Sequence, residues 1–119
     1  MIQSGETDNK KISDKLIAYL REEHEDPNIN YSSPMTQLQG GFETAIYQFR
    51  LTRFHKEYNK QFVLRLYPRS RGSKSASREY IVQNTMANEG YPVAKAYCLC
   101  TDETVLGGAF FIMDFLTGE

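Results

Sequence analysis

The sequence predicts an α+β domain: an antiparallel sheet of about five strands, a helix packed on it, and a further helix at the N-terminus. Three observations predict it. Apolar residues recur at helical spacing in two separate stretches, beginning near residues 12 and 76. Between and after them, apolar and polar residues alternate with the period of a strand. Glycine, proline and asparagine punctuate the strand-like runs, and 119 residues suffice for a single core.

Residues 1–11 are polar and aperiodic, which predicts a disordered tail. The helical pattern starts at Ser13, a capping residue, with Leu16, Ile17 and Leu20 on one stripe and Ile12 placed to staple against Ile17. It fades near Glu25, ahead of Asp26-Pro27-Asn28. A short strand over 35–39 runs into Gly40-Gly41. Ala45, Tyr47, Phe49 and Leu51 then alternate with Thr44, Gln48, Arg50 and Thr52, as a half-buried strand does. A polar connection over 55–60 leads to the strand 62–68, which Pro68 ends, and the two strands form a hairpin. After a loop over 69–75, a second helix over 76–88 stops at Gly90 and Pro92, with Glu79, Val82 and Met86 facing inward and Gln83 beside them. Strands over 96–100 and 109–115 follow, joined by Thr101-Asp102-Glu103 and Gly107-Gly108.

Composition narrows the function. A net charge of −1 gives no overall polyanion-binding character, and 40% apolar with 13% aromatic residues excludes global disorder. The charge is uneven: residues 50–79 hold nine Lys or Arg against Glu57 and Glu79, whereas 22–26 are acidic. That basic segment, with Tyr67, Tyr80 or Phe54 for stacking, leaves a nucleic-acid-binding module as an alternative. Cys98 and Cys100 lie two apart on one strand, on the same side, with neither His24 nor His55 at ligand spacing; they read as buried reduced thiols. With no signal peptide and no apolar run of spanning length, the expected setting is the cytoplasm and not a membrane.

Three features form a constellation. The glycine pair in Gln39-Gly40-Gly41-Phe42-Glu43-Thr44 lets backbone N–H groups approach a phosphate. Arg65 interrupts an otherwise apolar strand, and Glu79 interrupts the inward stripe of the next helix. A buried pair of this kind stabilises a fold poorly, which points to a positional role.

With these residues, Gly40-Gly41-Phe42-Glu43-Thr44-Ala45-Ile46-Tyr47, Val63-Leu64-Arg65, Glu79, Gly90-Tyr91-Pro92-Val93-Ala94 and the run Phe110 to Gly118, the chain resembles the aminoglycoside phosphotransferase family. That family has the protein-kinase-like fold and takes in choline-kinase-like and fructosamine-kinase-like enzymes. The resemblance runs from about residue 12 to the last residue and covers only the N-terminal, nucleotide-binding lobe. It implies ATP as cofactor, with Gly40, Gly41 and Phe42 over the phosphates and Thr44 as a hydroxyl donor. Arg65 would hold the α- and β-phosphates, oriented by Glu79. Met113 would stand behind the adenine, the Asp114 carbonyl would accept from its amino group, and the Leu116 N–H would donate to the ring. Arginine stands where kinases generally have lysine, and Glu43 where relatives often carry a small polar residue.

The family signature His-x-Asp-x-x-x-x-Asn begins at neither His24 nor His55. No catalytic or metal-binding residue is therefore assigned in this chain, and Mg²⁺ is expected only with a C-terminal lobe. The resemblance implies an isolated lobe of a small-molecule phosphotransferase, inactive alone, whose uncovered interlobe surface favours self-association. The phosphoryl acceptor is not encoded here. A non-catalytic nucleotide-sensing or protein-interaction domain is the other alternative.

Overall fold

The computed structural model describes residues 4–39, 45–54, 57–68 and 72–115. Helix α1 (Ser4–Glu23) leads into strands β1 (Tyr31–Gln39), β2 (Ala45–Phe54) and β3 (Glu57–Leu66), then helix α2 (Gly72–Asn88) and strands β4 (Ala96–Cys100) and β5 (Phe110–Asp114). The strands form one sheet in the order β1-β2-β3-β5-β4, every pair antiparallel. The α+β class and the five strands are those the sequence predicts.

The first helix starts at Ser4, inside the stretch expected as a tail, and Ser13 lies in its middle rather than at its cap. Once a helix is nucleated, each further residue adds a hydrogen bond without needing an apolar stripe. Lys10 and Asp14 support it as an i, i+4 pair. The helix ends on a Schellman motif: Glu25 takes a left-handed φ of 50°, its N–H bonds Glu22 O, and the Asp26 N–H bonds Arg21 O. Asp26 then turns the chain by accepting from the Asn28 N–H, and pairs with Arg53 at 3.1 Å.

Strand β1 begins four residues before the expected position and passes through Pro34, which an edge strand tolerates because no partner needs its missing N–H. Residues 57–60, expected as connection, are strand as well. Arg53 pairs with Tyr58 and Phe54 with Glu57, so β3 starts at Glu57. Polar side chains hid this extension, and Asn59 absorbs a φ of 54°, a conformation asparagine tolerates.

Alternation sorts the sheet into two faces. Tyr47, Phe49 and Leu51 of β2, Phe62 and Leu64 of β3, and Phe110 and Ile112 of β5 point to one face, where α1 buries Leu16, Ile17 and Leu20. Rings lock this core: Phe49 stacks on Phe62 at 5.9 Å, Phe54 meets Phe62 edge-on at 5.1 Å, and Tyr19 meets Phe110 at 5.4 Å.

Helix α2 covers only the β5–β4 part of the opposite face, where Tyr67, Ala76, Ala96, Ala109 and Phe111 form a second, smaller core with Tyr80. Its inward face differs from the expected one. Ala76, Tyr80, Gln83 and Asn84 face the sheet, while Val82 is 50% exposed. The stripe Glu79, Val82, Met86 runs along the helix flank instead. Side-chain amides set this rotation: Asn84 donates to Ala96 O at 3.0 Å and accepts from the Ala96 N–H at 2.7 Å, pairing the β4 edge as another strand would. Gly90, at φ 93°, closes the helix with the Tyr91 N–H on Met86 O. At the mouth of β5, a Cβ on Gly108 would stand 2.0 Å from Tyr67 O, so only glycine lets β3 and β5 meet there.

Candidate functional site

Arg65 projects from β3 onto the second face, in register with Ile46 of β2 and Phe111 of β5. Its Nη2 lies 3.2 Å from Glu79 Oε1, so the structure brings together the strand cation and helix carboxylate that the sequence singled out. Tyr67, two residues along the same face, donates its hydroxyl to the same Glu79 oxygen, and its ring lies 5.8 Å from the Arg65 guanidinium. The pair is not buried as expected: Arg65 is 27% and Glu79 38% exposed. Both stand at the seam where α2 stops covering the sheet. A pair this wet adds little stability, and its carboxylate is fixed by two donors rather than by burial. Arg65 Nε is buried and has no hydrogen-bond partner among the described residues. Glu79 fixes the orientation of the guanidinium at Nη2, while the buried Nε is out of an anion's reach.

Beside the pair lies an apolar cavity of about 500 Å³. Leu38 of β1, Ile46 of β2, Val63 of β3 and Met113 of β5 form its sheet wall, and Gln83, Val93 and Ala94 close the α2 side. Val63 and Met113 are directly opposed across β3 and β5. Size and apolar lining suit a flat heterocycle, with polar groups at one edge. That edge is the end of β5. The Asp114 N–H bonds Lys95 O at 3.0 Å and the Phe115 N–H bonds Gln61 O at 3.2 Å. Lys60 Nζ approaches Asp114 Oδ1 to 3.0 Å, an ion pair by distance whose direction falls short of a hydrogen bond.

Of the sequence-derived candidates, Met113 and Asp114 line the cavity, and Arg65 and Glu79 pair on the same sheet face without lining it, Arg65 standing opposite Ile46 of its wall. Gly40, Gly41, Phe42 and Thr44, with Glu43 among them, lie outside the described residues, as does Leu116. Sequence reasoning missed the shelf itself. The strand period alone could have found Ile46 and Val63, since both alternate with residues read as core.

Four cations of the basic segment are engaged within the fold, while Lys56, Arg69 and Arg71 lie outside the described residues. Arg50 is tied to Asn59 O and Gln61 Oε1, Arg53 to Asp26, Lys60 to Asp114 and Arg65 to Glu79. Phe54 and Tyr67 are buried, and Tyr80 packs edge-on against Phe111, which leaves the proposed stacking residues engaged in cores.

A second cluster escaped the sequence. The structure sets His24 Nε2 3.4 Å from Cys98 Sγ, across a cavity of about 340 Å³ that Tyr19, Glu23, Asn84 and Lys95 also line. Cys98 takes a left-handed φ of 57° at a bulge in β4. Burial, then the Glu23 carboxylate, pushes its thiol up to about 12. Cys98 and Cys100 are both free thiols, and among the described residues no group of three His, Cys, Asp or Glu could hold a metal ion. Nor is any described helix long and apolar enough to cross a membrane.

Comparison with known proteins agrees with this fold. The family model of the phosphotransferase enzyme family matches residues 34–119. In the solved structures, a protein from Ralstonia eutropha provisionally described as an aminoglycoside phosphotransferase superposes with a TM-score of 0.58 and 28% identity, over 89% of this chain and 28% of that one. Two curated relatives are named as acyl-CoA dehydrogenases. IBR3 of Arabidopsis thaliana is 35% identical over 66% of this chain, and family member 10 of Mus musculus is 32% identical over 73%. The chain spans 12% and 8% of their lengths.

Proposed function

The chain belongs to the phosphotransferase enzyme family, and from that premise we propose that it is the ATP-binding N-terminal lobe of a small-molecule phosphotransferase. One observation carries the reading: the Arg65–Glu79 pair stands beside an apolar cavity of about 500 Å³ on the same sheet face. The adenine lies on the shelf of Leu38, Ile46 and Val63, with Met113 behind it and the backbone of Asp114 and Leu116 at its polar edge. Arg65 holds the α- and β-phosphates, and Glu79, steadied by Tyr67, aims the guanidinium. Gly40, Gly41, Phe42 and Thr44 close over the phosphates. ATP supplies the phosphoryl group; this lobe binds, orients and shields it from water.

Magnesium, the residue that positions the acceptor hydroxyl, and the acceptor itself belong to a second lobe. On this reading the 119-residue chain binds nucleotide weakly, transfers nothing alone, and self-associates through the rim around Leu38 and Val82. A sedimentation profile that stays monomeric at high concentration counts against the last point. The setting is the cytoplasm, where Cys98 and Cys100 remain thiols.

Amide spectra recorded during ATP addition test the site. Shifts are expected at Val63, Arg65, Met113 and Asp114. Saturating ATP that leaves all four unmoved overturns the proposal. In the protein at its full natural length, Arg65→Ala raises the KM for ATP about ten- to a hundredfold, the scale of a charge-assisted hydrogen bond. An unchanged KM removes the phosphate role.

A further inference from the structure

Gln83 lies one helical turn beyond Glu79, so the two side chains leave neighbouring parts of α2. Its surroundings are mostly apolar: Val82 and Met86 on the helix, Val93 and Met113 across from it. A leucine there would add apolar contact and require no partner. The amide instead makes two directed contacts from one nitrogen. Nε2 donates to Ala94 O at 2.7 Å and lies 3.2 Å from Met113 Sδ. The carbonyl contact is the strong one. The thioether accepts weakly, so the second contact matters for direction: it fixes the end of a side chain with three rotatable bonds.

Gln83 is also a partition. The cavity beside Arg65 adjoins a groove of about 280 Å³ under Arg78, Glu79, Val82 and Met86, and Gln83 and Val93 line both. Met113 lines the cavity and not the groove. Without the amide, nothing among these contacts holds the Met113 thioether away from the groove.

We infer that Gln83 is a positioning and specificity-determining residue. By joining Ala94 O to Met113 Sδ it sets the depth of the apolar cavity, and hence the size of ring system the cavity admits. The inference rests on the nucleotide reading above and adds to it a residue that touches neither phosphate nor metal. The ligand class it selects is a purine nucleotide with an unenlarged 6-amino edge.

The test compares ADP with N6-benzyl-ADP on the protein at its full natural length, using calorimetric Kd values. The natural protein prefers ADP. Gln83→Leu, which keeps volume and removes the donor, narrows that preference about fivefold to tenfold, the scale of one hydrogen bond. Its affinity for inorganic tripolyphosphate stays at the natural value. Met113→Ala narrows the preference at least as far. If Met113→Ala narrows it and Gln83→Leu does not, the cavity holds the base and the inference about Gln83 is overturned. If Met113→Ala changes neither Kd, the base lies elsewhere and the nucleotide reading fails, taking the inference with it. Should Gln83→Leu not fold, Gln83→Glu carries the same comparison, since its carboxylate keeps the shape and is repelled by Ala94 O.

Discussion

The two faces of this sheet are built from the same strands by the same alternation, yet they end differently. On β3, Phe62 and Leu64 point into a core that α1 closes, whereas Val63, Arg65 and Tyr67 point to a face that α2 covers only over β4 and β5. The closed face gains stability from interlocked rings and no charge. The open face keeps an apolar shelf at Leu38, Ile46 and Val63, with a charged pair at its margin. Folding strength and ligand chemistry are thus separated by the thickness of one sheet. A residue's role follows from the face it takes, and hardly from its type.

The largest expected effect lies on the closed face. Phe62 is fully buried and meets Phe49, Phe54 and Tyr97. Phe62→Ala should cost about 3–5 kcal/mol, read by chemical denaturation. Leu38→Ala, at a half-exposed position on the open face, should stay within about 0.5 kcal/mol while weakening ATP. Equal destabilisation by the two would erase the contrast.

Next in size is the point where the faces are joined. A Cβ at residue 108 meets backbone, not a flexible side chain, so Gly108→Ala must part the ends of β3 and β5 and break the Tyr67 N–H bond to Ala109 O. Overpacking of this kind costs about 1–3 kcal/mol. Because Tyr67 also steadies Glu79, amide exchange should quicken at Tyr67 and nucleotide binding should fall together. Exchange confined to residues 107–109 would show that the joint does not reach the site.

Glu79→Gln sharpens the comparison further. The pair is partly exposed, so stability should move by less than about 1 kcal/mol. In the protein at its full natural length the KM for ATP should nonetheless rise. A stability loss as large as that of Phe62→Ala would mean that the pair belongs to the core after all.

Much of this division was legible in the sequence, for physical reasons that can be named. The alternation of Tyr47, Phe49 and Leu51 and the spacing of Leu16, Ile17 and Leu20 are periods that only one backbone geometry satisfies. Arg65 and Glu79 stood out because a charge in an apolar pattern needs a partner, and each is the other's. The rotation of α2 was not legible. Gln83 and Asn84 face the sheet because backbone groups at Ala94 and Ala96 need partners, and that need is set by where β4 ends up. The start of α1 and the extension of β3 through Tyr58 were lost for another reason: polar residues carry no period. His24 and Cys98, far apart in sequence, meet only because a Schellman turn and a bulge happen to face each other.

Cys98 supplies a further effect, one read against pH, and it belongs to the rim of the closed face. Burial raises the Cys98 thiol from 9.0 to about 12 and the Tyr31 hydroxyl from 10.0 to about 12, and it raises Tyr19 and Tyr97 as well. These are acids whose folded form keeps the proton longer than the unfolded chain does. Their contribution is complete below the unfolded value and is lost as pH rises toward the folded one. Stability should therefore decline from pH 9 upward, first through Cys98 by about 1 kcal/mol per pH unit and more steeply above pH 10 as the tyrosines join. Cys98→Ala keeps a Cβ at the left-handed position, so backbone strain is matched while the titrating group is removed. It should flatten the decline between pH 9 and 10 and leave the steeper part intact. An unchanged slope in that first interval would mean that the unfolding equilibrium does not feel the Cys98 thiol, and that burial at the bulge is shallower than its packing against the core implies.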